Sequence, residues 1–404
     1  MPLEGEEYFL ALDPKPWVAI GLPFDESCVH HASSTFHASR IYIIVSSSIS
    51  KTSAFASLKT ALGDSLVGIR YGIRQHVPWP DVLEVALDLR DLNADLIVTL
   101  GAGSLTDGAK VASFAAANDA FGLDALDKIH IRNADPSTLK PCTIPTINIP
   151  TSLSGGEYNP PGGATDLRNS RKTSFRHPTI GTQLVILDPA LTVSTPERVW
   201  LSSGVRAVDH CVEGLCSVAF RDRGKPATGK EVDLDKVEMH LFEGLKLLLP
   251  NLLITKHHPG DLEARRKEMG VIEAMRGLTT GVPMGASHGI GHQLGPLGVG
   301  HGETSCVMLP SRQAKVLDAF WGDATVAKAL EARGLSRQEA TAGDVVAAFV
   351  AELKLPGSLK DVGVGRDKLK GLSKNSMTDR CISTNPVAIT EEDQILEILE
   401  LALG

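Results

Sequence analysis

The chain has 404 residues, 43% apolar and 22% charged, with 40 Lys and Arg against 48 Asp and Glu for a net charge of -8. This acidic balance argues against a nucleic-acid partner, which attracts basic surfaces through its phosphates. No run of about 18 apolar residues is present, which excludes a membrane-spanning helix; the densest candidate, Leu245 to Ile254, is interrupted by Pro250 and Asn251.

In chain order, the N-terminus (MPLEGEEYFL) carries acids and lacks a basic, apolar leader, so no secretory signal is expected. Six scattered cysteines without a C-x-x-C pair fit buried thiols in a reducing compartment, and the expected location is cytoplasmic. Four short β-branched runs follow: Ile41 to Val45, Leu96 to Leu100, Ile144 to Ile149 and Leu184 to Leu187. Runs this apolar suit strands covered on both faces of a parallel sheet. Amphipathic stretches separate them, such as Val82 to Leu92 and Asp107 to Ala117. The alternation predicts βαβ units and a doubly wound α/β domain over 1–190.

Beyond Asp188-Pro189 the pattern changes. Ser194-Thr195-Pro196-Glu197 reads as a helix start, with a hydroxyl cap and Pro in the first turn. Helical periodicity then dominates, as in Leu234 to Leu249, Leu262 to Leu278, Asp344 to Leu353 and Glu391 to Leu403, so 191–404 is expected to be all-helical. Arg221 to Lys230 reads as a charged, solvated loop.

Two turns carry a phosphate-binding signal. The second apolar run leads into Gly101-Ala102-Gly103-Ser104 and then a helix through Asp107 and Lys110. A strand, a glycine turn and a helix N-terminus present free N–H groups to an anion, and a diphosphate is the expected guest; a plain tight turn is the alternative. Thr151 to Gly156 (TSLSGG) makes a second small-residue turn after the third run. The first run ends in Ser46-Ser47-Ser48 rather than an acid. A 2′-phosphate would not be repelled there, so NADP is expected to be tolerated, with Lys51 favouring it; the alternative is that these serines cap the next helix.

Of thirteen histidines, several cluster with polar neighbours. Arg206 and His210 are spaced i, i+4, as are His288 and His292, and His301 follows in the same glycine-rich segment. Such spacing places two side chains on one helix face, suited to metal binding or proton transfer.

These motifs together resemble the iron-containing alcohol dehydrogenase superfamily, and most of all its maleylacetate reductases. The likeness includes His76-Val-Pro78, the GAGS turn with Asp107 and Lys110, Pro150 to Glu157, Ala164-Thr-Asp166, Arg171-Lys-Thr173, Leu187-Asp-Pro189, Gly204 to Glu213, His288 to Pro310 and Asn385-Pro386. The resemblance implies a dehydroquinate synthase-like architecture, NAD(P)(H) as cofactor, and a homodimer acting on a small molecule. It implies that Gly101, Gly103 and Ser104 hold the diphosphate, and that Ser46, Thr151, Ser152 and Ser154 line the cofactor. It places Asp107 and Lys172 near the ribose or nicotinamide end. It gives His292 a proton-transfer role, and it matches His210, His288 and His301 to three of the family's four metal ligands.

The fourth ligand is an Asp in metal-dependent members, four residues before the first histidine. Here that position is Arg206. A guanidinium has no acceptor and stays charged, so a divalent cation is expected to be absent. Asp209 is expected to turn away from His210, and Glu303 is the remaining candidate ligand. Arg206 offers a planar fork for a carboxylate or oxyanion, the alternative being an internal ion pair with Asp209 or Glu213. The expected catalytic set is Arg206, His210, His288, His292 and His301. The expected activity is NAD(P)H-dependent, metal-free reduction of a small oxo-acid or enone. The alternatives are a metal-dependent alcohol dehydrogenase with Fe or Zn on His210, His288 and His301, or a non-redox dehydratase, isomerase or cyclase on the same fold.

Overall fold

The computed structural model describes residues 2–404 except 170, 222–231, 268, 280 and 309–313, and excludes the side chains of 221, 301, 307, 308 and 314. Of the loop expected from Arg221 to Lys230, the first residue instead ends a short helix and residues 222–230 lie outside the described residues. The chain divides into two compact units, Met1–Ser194 and Thr195–Gly404.

Among the described residues the first unit has nine strands: β1 (Glu7–Leu10), β2 (Trp17–Ile20), β3 (Ile41–Val45), β4 (Leu66–Tyr71), β5 (Leu96–Gly101), β6 (Thr146–Pro150), β7 (Gly162–Asp166), β8 (Arg171–Phe175) and β9 (Leu184–Leu187). Seven form one sheet in the order β1-β2-β9-β6-β5-β3-β4; β7 and β8 make a separate antiparallel pair. Only β1 runs antiparallel to its neighbour in the large sheet. Its helices are α1 (Phe24–Ser34), α2 (Ser53–Leu62), α3 (Trp79–Asp91), α4 (Gly103–Ala117), α5 (Leu123–Ile129) and α6 (Pro189–Thr192).

Alternation along β3 explains the layers. Tyr42 and Ile44 join Trp79, Val82 and Phe114 in a core with α3 and α4. Ile41, Ile43 and Val45 face the other way, onto Phe24, Cys28, Phe55 and Leu58 of α1 and α2. The sheet is thus covered on both faces, as a doubly wound fold requires.

The four apolar runs become β3, β5, β6 and β9. The remaining strands gave weaker signals. β4 is an edge strand with Gly68 and Arg70 in it, and the β7–β8 pair is largely polar (GGATD and RKTSF). From β3 the chain lays β4 on one side, then β5, β6 and β9 on the other, so strand order reverses between β3 and β5. Ligands of open α/β sheets bind at such a reversal, beyond the strands' carboxyl ends.

The second unit contains α7 (Glu197–Leu215), α8 (Val218–Arg221), α9 (Leu234–His257), α10 (Leu262–Lys267), α11 (Gly270–Thr279), α12 (Ala286–Leu294), α13 (His301–Met308), α14 (Ala314–Gly322), α15 (Ala324–Ala332), α16 (Ala342–Glu352), α17 (Leu369–Ser376), α18 (Arg380–Ser383) and α19 (Glu392–Leu401). Among the described residues it holds no strand. No helix among them is long and apolar enough to cross a membrane.

α7 is its centre, buried from Trp200 to Leu215 between α9, α11 and α13. It starts at Glu197, as the Pro196 signal predicts, but without a side-chain cap; the Ser194 hydroxyl donates to Leu191 O instead. The helical pattern expected over Leu234 to Leu249 extends to His257. α9 runs through Pro250, and Asn251 Nδ2 donates to the Leu247 carbonyl at 2.6 Å. Conversely, the stretch from Leu262 to Leu278 divides into α10 and α11.

Candidate active site

In the first unit, the small-residue turns meet at the strand reversal. β5 ends in Gly101, whose φ is +147°, and α4 starts two residues later. A Cβ on Gly101 would come within 3.0 Å of Ser46 Cβ at the end of β3, and one on Gly103 within 2.7 Å of Ser154 Oγ. The Thr151 N–H donates to Gly101 O at 3.1 Å, and Ser152 Oγ lies 3.4 Å from Ser154 Oγ. Ser46, Gly101, Gly103, Ser104, Thr151, Ser152 and Ser154 therefore gather around one helix start. No side chain caps α4, so its first N–H groups lack the usual internal acceptor. This cradle fits a diphosphate.

Ser46 also caps its own turn, its Oγ accepting from Ile49 N at 3.5 Å, and no acid stands at this strand end. On the hairpin, Lys172 and Asp107 flank Gly163: a Cβ there would lie 3.5 Å from both Lys172 Nζ and Asp107 Oδ2.

Lys110 was named in the sequence only as part of a helix. Its Nζ is buried and donates to the carbonyls of Gly156 and Asn159, both at 2.6 Å, pinning the second turn against α4. Burial lowers its pKa, opposed by Asp107 and Glu157. Burial also pushes the neighbouring Glu157 carboxyl up to about 7.

In the second unit, α7, α12 and α13 assemble the polar cluster. Gly302 lets α13 approach α7, since a Cβ would meet Ser202 backbone carbon at 2.7 Å. That contact brings Ser305 to Arg206. The guanidinium is 2% exposed; Nη1 donates to Ser305 Oγ at 2.9 Å and lies 3.5 Å from Asp209 Oδ2. The Ser305 and Ser287 hydroxyls donate to that same oxygen at 2.6 and 3.3 Å. Of the two internal partners weighed for Arg206, Asp209 is the one it pairs with. Asp209 also reaches the histidines through another helix, its Oδ2 lying 3.5 Å from His288 Nδ1.

Glu213 holds the start of α12. Its Oε1 accepts from the Ser287 N–H at 2.8 Å, its Oε2 is bonded to His288 Nδ1, and Asn385 Oδ1 takes the Ala286 N–H at 2.9 Å. The His210 and His288 rings stack at 5.0 Å. His292 points Nδ1 at Asp379 Oδ2, 2.9 Å away. His301 begins α13, and its side chain lies outside the described residues. Glu303 is engaged by Arg198.

Burial sets the electrostatics. It holds His210 and His288 well below the ordinary imidazole range, helped by His288 and Arg206 for the first and by Arg206 and His292 for the second, so both are neutral near pH 7. It raises the Asp209 and Glu213 carboxyls, and their mutual repulsion raises Asp209 further. For Asp379 burial works upward too, but the hydrogen bond and charge of His292 outweigh it and its pKa is lowered. Arg206 Nε, Asp209 Oδ1 and His210 Nδ1 are buried without a hydrogen-bond partner among the described residues. Three such atoms in one stretch of helix mark a place built for a polar guest.

The metal-ligand set implied by the resemblance does not fit these residues. Arg206 supplies only donors where a carboxylate is needed. Asp209 and Glu213 are already engaged by hydroxyls, backbone N–H groups and His288.

Sequence models describe the two units in the same terms. Residues 23–189 match the iron-containing alcohol dehydrogenase model, and residues 201–403 match the C-terminal model of that family. The chain belongs to the iron-containing alcohol dehydrogenase family. It is 42% identical to Dehydrogenase ALT3 of Alternaria alternata, over 91% of this chain and 100% of the relative. It is 40% identical to Dehydrogenase FUM7 of Gibberella moniliformis, over 96% of each. The maleylacetate reductase of Rhizobium sp. is more distant, 28% identical over 84% of each. Among solved structures, maleylacetate reductase from Agrobacterium tumefaciens has a TM-score of 0.69 at 24% identity, covering 98% of both chains. Sulfoacetaldehyde reductase from Bifidobacterium kashiwanohense, solved with NAD+, has a TM-score of 0.73 at 19% identity, covering 95% of this chain and 96% of its own. Family membership makes this protein an oxidoreductase.

Signals for the missed site residues were uneven. Glu213 lies three residues after His210 on a helix already singled out, so its position was legible. Ser305 and Asn385 lie in segments that carry the family likeness but had been given no role, and Asp379 carries no local signature; all three join the cluster from distant segments.

Proposed function

We propose that this family member is an NAD(P)H-dependent reductase of a small oxo-acid or enone, resembling the maleylacetate reductases, and that it works without a bound metal. The observation that carries the reading is the buried Arg206 guanidinium, seated among the histidines where metal-dependent relatives need an Asp. A fixed cation and hydrogen-bond donors can stabilise a developing oxyanion without a Lewis acid.

Gly101, Gly103 and Ser104 would take the cofactor's diphosphate, and Ser46, Thr151, Ser152 and Ser154 would line it. Asp107 and Lys172 would lie toward the ribose or nicotinamide end. The absence of an acid after β3 supports tolerance of NADPH. The reduced cofactor supplies hydride when bound. The chain's own groups do the rest. Arg206 Nε, with His210 or His301, holds a substrate carboxylate or enolate oxygen. The neutral, buried His210 and His288 keep the pocket's polarity fixed, and His292 delivers the proton.

The test is NADPH and NADH oxidation over a panel of maleylacetate-like oxo-acids and enones, alongside elemental analysis of protein purified without chelator. Turnover with well under one metal per chain is expected. No turnover across the panel, or one transition metal per chain that chelation removes together with activity, would overturn the proposal. A second reading, a metal-dependent alcohol dehydrogenase, draws on one observation: donor atoms of Asp209, Glu213 and His288 lie within 4.8 Å of one another. The same elemental analysis separates the two. The family likeness also suggests a homodimer, which light scattering on the purified protein would check.

A further inference from the structure

His288 and His292 both turn Nδ1 toward a carboxylate, yet their surroundings differ. His288 is nearly enclosed, its side chain 7% exposed, with Glu213 and Asp209 around it. The His292 side chain is 32% exposed, while Asp379 beside it is 15% exposed. Of the two, His292 is the one that can be recharged with a proton from water.

We infer that Asp379 is a positioning residue that holds His292 as the proton donor, fixing one ring proton on Nδ1 and leaving Nε2 to carry the proton that is transferred. The inference rests on the reductase reading above. Its geometry has three parts. The carboxylate is tied at both oxygens: Oδ1 accepts from the Cys381 N–H at 2.9 Å, capping α18, while Oδ2 lies 2.9 Å from His292 Nδ1. The Asp379 backbone is fixed as well, its N–H donating to Ser376 O at 2.8 Å at the end of α17. Finally, α18 is pressed against α12, since a Cβ on Gly289 would meet Ile382 Cδ1 at 2.7 Å. Asp379 is thus set rigidly against a histidine 87 residues earlier in the chain.

A carboxylate on Nδ1 selects the tautomer and stabilises the imidazolium. In the reduction, one substrate carbon accepts a hydride, and its two electrons, from the dihydronicotinamide. The neighbouring carbon, or the carbonyl oxygen, accepts the proton as the Nε2–H bond breaks. The electron pair of that bond stays on Nε2, the Nδ1 proton stays on the ring as a hydrogen bond to Asp379, and water restores the Nε2 proton.

Asp379→Asn is the informative substitution because the amide oxygen can keep the Oδ1 cap, while the amide N–H₂ faces Nδ1 as a donor and forces the neutral ring proton to Nε2. In wild type, ¹⁵N NMR of His292 should show the neutral ring protonated at Nδ1; in D379N it should shift to Nε2. With a substrate from the panel, kcat should fall about 100-fold in D379N while KM for NADPH changes less than about twofold. Asp379→Glu should recover part of the loss. In a His292→Gln background D379N should add almost nothing, whereas a purely structural role would cost the same in both backgrounds. An unchanged tautomer, or equal losses in both backgrounds, would overturn the inference. If wild type turns over nothing, the reductase reading falls by itself, and the tautomer measurement, which needs no substrate, still decides whether Asp379 orients the ring.

Discussion

Arg206 shows how a single charged side chain is held inside a helical core. Its charge is buried and matched by Asp209, and Ser305 bridges the two by accepting from the guanidinium and donating to the carboxylate. Removing one member of a buried pair strands the other charge, whereas removing both costs far less. Arg206→Met should therefore destabilise the protein by about 3 kcal/mol in urea denaturation, and Arg206→Met with Asp209→Asn by clearly less. A double variant at least as unstable as the single would show that the pair is not coupled. The histidines were legible as a cluster because i, i+4 spacing is a local property. The direction of the guanidinium was not, because Ser305 arrives from a helix about a hundred residues away.

At the scale of elements, the β5–α4 junction is where the proposed cofactor's diphosphate would approach. Gly103→Ala would press against Ser154 Oγ and narrow the turn. NADPH affinity, read by fluorescence titration, should weaken about tenfold, roughly 1.4 kcal/mol, with little change in melting temperature. Adding Ser154→Ala should relieve the internal contact without restoring affinity; full recovery would mean the glycine matters only for packing. The strands that frame this junction were readable because each is apolar on both faces. The edge strand β4 and the polar β7–β8 pair were not, since half-exposed strands borrow their stability from neighbours rather than from a continuous apolar run. Pro250 illustrates the reverse case, where helix packing carries α9 through a residue that local rules treat as a stop.

At the scale of the whole molecule, resistance to acid depends on where titratable groups are buried. In the first unit Glu6 accepts from Ser27 Oγ at 2.6 Å and pairs with His31 Nε2 at 3.0 Å; His31 stacks on Tyr8, which stacks on Trp17 of β2. Burial lowers the His31 pKa more than Glu6 raises it. For Glu6 burial acts upward, but hydrogen bonds from Ser27, the Leu3 N–H and His31 outweigh it and the net shift is down. In both cases the unfolded chain binds the proton more readily, so both contributions fade as pH falls. The His31 share fades below about pH 6.5, and the Glu6 share below about pH 4.5. Melting temperature should therefore fall from neutral pH toward pH 4. Glu6→Gln should flatten the lower part of that curve relative to wild type, which differential scanning fluorimetry across pH 4 to 8 would read. Parallel curves for the two proteins would contradict the assignment.

The order of apolar runs and their separation by amphipathic stretches were enough to specify a doubly wound first half and a helical second half. The residues of the two small turns were enough to single out the segments that meet at the start of α4. These are local consequences of backbone hydrogen bonding and side-chain periodicity. Only the folded chain decided that Arg206 turns inward to Asp209, that Glu213 and Asn385 anchor the helix of His288 and His292, and that Asp379 meets His292. Arg206 and Asp209 share one helix and are bridged by Ser305 from another; the remaining contacts join segments remote in sequence. Their strength comes from water being excluded around them, and that exclusion exists only once the helices have packed.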